Sequence, residues 1–277
     1  MEDRMGVVKK LFSITYQALE QQMDFHSSTV RVLHAKDLFE KLPFFLTSFI
    51  TVYENSFLSN IPDDNTLASI SRNIIELRNV FQYVIEYRLS KEESEFRSFS
   101  MELHRATREK EILEKLGVDD GNVTLRWGFI LSLVKENPFC QSLNESERKK
   151  VLKAQKPYYW EFMKNKKELF EKGAESALYD LLSNLTHSFP LSNSIRRETP
   201  YSLIFSYEKV LAICCEVTII YSASIVRDYL SLRSTVFRNL IYKEREFLKN
   251  CLDPTPLLKF INENKIQKGG LFSSEGD

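Results

Sequence analysis

Residues 201–253 contain neither glycine nor proline, and the middle of that stretch is almost wholly apolar. A sheet would need turn residues every 8–12 positions or so. A run this long without a breaker is therefore compatible with helix and little else. The rest of the chain repeats the pattern, with eight glycines and eight prolines in 277 residues. The fold class that follows is all-α: a multi-helix bundle of about nine helices with a long apolar helix over 201–232 at its centre.

The most apolar part, Val210 to Val226, carries Glu216 in its middle. A membrane span needs ~20 mostly uncharged residues, so this segment reads as a core helix. The chain opens Met1-Glu2-Asp3-Arg4 and has no apolar run of signal-peptide length before Lys9 and Lys10. Cys140, Cys214, Cys215 and Cys251 form no C-x-x-C pair, which suits buried free thiols in a reducing compartment. Together these features predict a soluble, cytoplasmic protein with no membrane partner. The 38 basic residues balance 38 acidic ones, which excludes a protein built mainly to coat nucleic acid.

The first helix is expected over 4–24, followed by segments at 29–41 and 44–58 around Pro43. A heptad-like seam of Leu67, Ile70, Ile74, Leu77, Phe81 and Val84 defines a helix over 67–84. A charged helix over 91–116 ends at Gly117, and further helices are expected over 123–135, from Asn144, over 158–172 and up to His187. A short last helix follows Pro254. No repeat or composition shift divides the chain, so the expectation is one helical domain over 1–266 and a flexible tail over 267–277.

Phosphate-cradling glycine loops, nucleophile elbows and H-E-x-x-H helices are all missing from the sequence, and nothing in it calls for a cofactor or metal. What remains is a pair of polar stripes. Arg72, Glu76, Asn79 and Tyr83 step by 4, 3 and 4 along one helix, and Tyr179, Ser183 and His187 step by 4 and 4 along another. Glu216 is a lone acid in apolar surroundings and wants a cationic partner. If the stripes meet in a polar cleft, Arg72 binds an anionic group, a nucleotide among the candidates. Glu76 then orients it, and His187 serves as acid, base or donor. Tyr83, Tyr179, Ser183 and Glu216 would line the ligand. The plainer alternative is an i,i+4 ion pair on a solvated face.

These residues also carry a resemblance. Ala68 to Glu76, with Tyr83 beyond, resembles the R-x-x-x-E helix of a bacterial all-α family of unknown function, and Leu178 to His187 resembles that family's Y-x-x-L-S-x-x-x-H helix. The resemblance covers about a tenth of the chain. It implies that Arg72, Glu76, Ser183 and His187 approach one another, and it implies no reaction. A more distant similarity is to the HEPN helical nucleases, some of which act in bacterial stress and defence systems. Their R-x-x-x-x-H helix has no counterpart here, so a metal-independent ribonuclease would need Arg72 to act on RNA from a separate helix.

Two other surfaces are legible. Residues 148–172 interleave lysines with Tyr158, Tyr159, Trp160 and Phe162, a pattern that suits single-stranded nucleic acid. Glu161, Glu168 and Glu171 within it, and Glu145 and Glu147 just before it, dilute the charge, which favours a solvated helix face. The Phe-rich segment 43–58 could form a homo-oligomer interface in an interaction protein with no small-molecule site.

Overall fold

The computed structural model describes residues 2–22, 29–58, 63–163, 169–170, 173–186 and 207–263. Among these, 83% are α-helical and none lies in a strand, so the chain is an all-α bundle. The helices are α1 (Glu2–Gln22), α2 (Val30–Phe39), α3 (Leu42–Leu58), α4 (Asp64–Ile85), α5 (Lys91–Lys115) and α6 (Gly121–Glu136). They continue with α7 (Pro138–Ser142), α8 (Glu145–Leu152), α9 (Ala174–Thr186), α10 (Tyr207–Leu232), α11 (Arg238–Cys251) and α12 (Thr255–Glu263).

The described residues alone exceed the expected nine helices, because several breaks start a new helix at once. Pro138 does not merely end α6. It occupies the first turn of α7, where its missing N–H costs nothing, and the Asn137 side chain accepts from the Phe139 and Cys140 amides. In the expected helix over 158–172, the described part holds only the 3-10 turn Trp160–Phe162. The long apolar helix stops at Leu232, and α11 is separate from it.

The chain divides into two compact units. The first gathers α1, α3, α4 as far as Glu76, α9, and α10 to α12. The second gathers α2, the rest of α4, and α5 to α8.

In the first unit α10 is the core element. Val210, Leu211, Val217, Ile219, Ile220, Ile225, Val226 and Leu230 are all buried on it, so it is apolar all round. Each such side chain contributes about 1.5–3 kcal/mol on burial. By length and composition Glu208–Leu232 is long and apolar enough to cross a membrane, and 83% of its most apolar stretch is buried inside the fold. Helix α1 lays Val8, Leu11, Ile14 and Ala18 into the core, and α10 is one of its neighbours. Helix α4 approaches α10 through small polar groups. Ser71 Oγ lies 3.1 Å from the Cys214 carbonyl and 3.0 Å from Thr218 Oγ1. Within the Phe-rich segment, Leu46, Phe49 and Tyr53 of α3 are buried, whereas Phe44 is 73% exposed.

In the second unit α5 and α6 form a hairpin. Gly117 takes a φ of +72°, and the amides of Gly117 and Val118 close back onto the Glu114 and Leu113 carbonyls. Asp120 then caps α6 by accepting from the Asn122 and Val123 amides. The core collects Phe96, Leu103, Val134, Cys140 and Val151, together with Tyr159 and Phe162. Two of the aromatics that suggested a stacking surface are therefore buried.

Candidate functional site

Helix α9 explains how its tyrosine is placed. Leu178, Leu182 and Leu185 are buried, which fixes the helix rotation. Tyr179 follows Leu178 by one residue, about 100° round the axis, so it emerges at the edge of the buried face. Arg72 and Glu76 sit one turn apart on α4 and meet it there. The Tyr179 hydroxyl donates to Glu76 Oε1 at 2.7 Å and accepts from Arg72 Nε at 3.2 Å and Nη2 at 3.1 Å. Arg72 Nη2 also lies 3.0 Å from Glu76 Oε1. The three groups thus close a ring, and the guanidinium carbon stands 5.2 Å from the centre of the tyrosine ring.

The electrostatics follow from this ring. The hydrogen bond to Tyr179 is the main influence raising the Arg72 pKa, with Glu76 adding to it. The Tyr179 pKa is also raised, first by partial burial and then because its hydroxyl donates to Glu76. The guanidinium keeps its charge and is held from two directions. Nη1 takes part in none of these contacts. The Arg72 side chain is 25% exposed, so an anion from solvent can reach it.

Other sequence candidates lie elsewhere. Ser183 is half-buried, one turn beyond Tyr179 on α9. His187 lies outside the described residues. Glu216 is held by Arg4 of α1, whose Nε and Nη2 donate to both carboxylate oxygens. That hydrogen bonding is the main reason the Arg4 pKa is raised. The acid on the apolar helix has its cationic partner, but the partner is Arg4. Tyr83 is fully buried in the second unit, with the Arg97 guanidinium 4.6 Å from its ring centre. Desolvation pushes its pKa up. It is not on a solvent-facing stripe, because α4 is buried on most sides there, with Arg78, Phe81 and Val84 also inside.

Sequence reasoning missed the charged network around Arg97. Its guanidinium is 1% exposed and pairs with Glu86 and Glu93, each at 2.7 Å. It also donates to the carbonyls of Tyr83 and Phe162. Arg31 donates to the Ile85 and Glu86 carbonyls. Its pKa is lowered by burial and by the nearby Arg97. Two arginines thus satisfy carbonyls that the end of α4 leaves open. The only hint in the sequence was Glu93–Arg97 at i,i+4, which reads as an ordinary surface pair.

The four cysteines are free and buried. Burial pushes the Cys214 and Cys215 thiols up to about 12, far from the thiolate a nucleophile needs. Among the described residues no group of three histidine, cysteine or carboxylate side chains could hold a metal ion. His104 is occupied, with Nδ1 2.7 Å from the Ala154 carbonyl. No protein-family model matches the chain, and neither a curated protein nor a solved structure matches it.

Proposed function

We propose that this chain is a helical binding or regulatory protein that holds an anionic ligand at Arg72, with nucleotides as the leading class. The observation that carries the reading is the Tyr179 hydroxyl, which reaches Arg72 from another helix and fixes its Nε and Nη2. A guanidinium held in place loses less freedom on binding an anion than a loose one. Glu76 screens this charge, so a singly charged ligand gains little. A polyphosphate competes better, because it replaces the one carboxylate with several charged oxygens. The four free, buried cysteines support a reducing compartment such as the cytoplasm.

Calorimetric titration with ATP, AMP and inorganic phosphate tests the reading. ATP binds most tightly, and Arg72→Ala weakens it by about tenfold, the loss of one charge-assisted hydrogen bond. Equal ATP affinity in the parent and in Arg72→Ala would remove the proposal. Cleavage of RNA without metal, lost in His187→Ala, would replace it with the nuclease reading.

A further inference from the structure

A second feature of the first unit is independent of Arg72. Helix α11 packs against α10, and between the end of α10 and the length of α11 a cleft of about 510 Å³ remains open. That volume lies within the usual range for small-molecule sites, roughly 300–1,000 Å³.

Its chemistry is divided. The floor is Leu230 of α10 and Leu248 of α11, which are 1% and 5% exposed. Ile241 and Leu252 form apolar walls. The charged side chains lining the cleft are all cationic: Arg227, Arg245 and Lys249. This layout follows from helical spacing. Ile241, Arg245 and Leu248 recur at intervals of 4 and 3 along α11, and Leu252 caps the helix 4 positions further on, so one stripe sets a cation between apolar walls.

The cations are not equally engaged. Arg227 Nη2 lies 2.7 Å from Asp228 Oδ1. Lys249 meets Glu246 only at 3.9 Å, with both side chains about three-quarters exposed, so solvent screens that pair. Arg245 pairs with no carboxylate among the described residues. Neither Asp228 nor Glu246 lines the cleft.

An apolar floor beneath cations rejects a small hydrophilic anion, which would lose water without replacing it. It also disfavours a purely apolar ligand, which would bury cationic groups without pairing them. The geometry points to a site for a free amphipathic anion, of which a medium-chain fatty carboxylate is the simplest member. Its chain lies on Leu230 and Leu248, and its carboxylate meets the Arg245 fork.

The test is calorimetric titration of the full chain with dodecanoate below micelle formation. One saturable site is expected. Arg245→Glu weakens it by at least about tenfold, and Ile241→Glu, which places a like charge in the wall, does the same. Arg245 is exposed and Ile241 only partly buried, and unchanged helical circular dichroism confirms that each variant folds. Dodecanol binds more weakly than dodecanoate, and acetate gives no heat. Arg72→Ala leaves dodecanoate binding unchanged, so failure of the nucleotide reading and failure of this one are told apart. Absence of saturable binding would overturn the inference. So would equal affinity in Arg245→Glu, or binding to phosphatidylglycerol vesicles with none to monomeric dodecanoate.

Discussion

Tyr179 and Arg72 stand 107 positions apart in the chain, yet a single phenolic oxygen accepts from two nitrogens of the guanidinium at 3.1 and 3.2 Å. The same hydroxyl donates to Glu76. The contact ties α4 to α9 on the first unit, and it decides which way the arginine points. Position and stability are therefore coupled at this spot, and both can be measured.

Tyr179→Phe removes the bridge and keeps the ring. It leaves Arg72–Glu76 as a partly exposed i,i+4 pair, a class worth a few tenths of a kcal/mol. The lost hydrogen bonds lower stability by about 1 kcal/mol, read as a shifted urea midpoint with an unchanged slope.

Arg97 predicts a larger effect. Arg97→Met strands two buried carboxylates, and breaking such a pair costs about 3–5 kcal/mol. Replacing Glu86 and Glu93 with leucine in the same chain recovers much of that loss, because no uncompensated charge remains inside. Chemical denaturation of the single and triple variants checks both halves of the prediction.

Arg4→Ala leaves Glu216, whose side chain is 12% exposed, without its partner on the apolar helix. A cost of about 1–3 kcal/mol follows from the unsatisfied carboxylate. Arg4→Leu combined with Glu216→Leu costs less than Arg4→Ala alone. Thermal melts of the two variants make the comparison.

Alkaline pH acts through buried acids. Burial moves the Cys214 and Cys215 thiols from 9.0 to about 12, Cys251 to about 11, and the Tyr159 phenol from 10.0 to about 12. In each case the folded chain keeps a proton that the unfolded chain gives up. Their contribution is fully present below pH 9 and is lost as pH rises towards 12. Each group removes up to about 1.4 kcal/mol per pH unit in that window. Urea unfolding at a series of pH values should show a flat region through neutrality and a steep fall above pH 9. Cys215→Ala makes the fall shallower.

How far the sequence was legible depended on the range of the interaction. Helix caps are local, and Asn144 with Glu147, Asp120 and Gly117 act at the places their types indicate. The apolar character of α10 is likewise visible in composition. Arg72 and Glu76 were legible as a stripe, but which residue from elsewhere would meet them was not, because periodicity orders side chains about one axis only. Tyr83 shows the limit from the other side. Its spacing from Arg72 puts it on the same stripe, yet neighbours surround that part of α4 and bury it. Glu216 advertised a partner without naming one, and Arg4 could not be chosen among 38 basic residues. Arg97 was missed for a related reason: an i,i+4 pair looks the same in sequence whether water or protein lies above it.

The most direct test of the account is a double-mutant cycle on ATP affinity with Arg72→Ala, Tyr179→Phe and the two combined. If Tyr179 acts by positioning Arg72, Tyr179→Phe weakens binding in the parent and adds nothing once Arg72 is gone. Affinity untouched by Tyr179→Phe, or two losses that simply add, would contradict it.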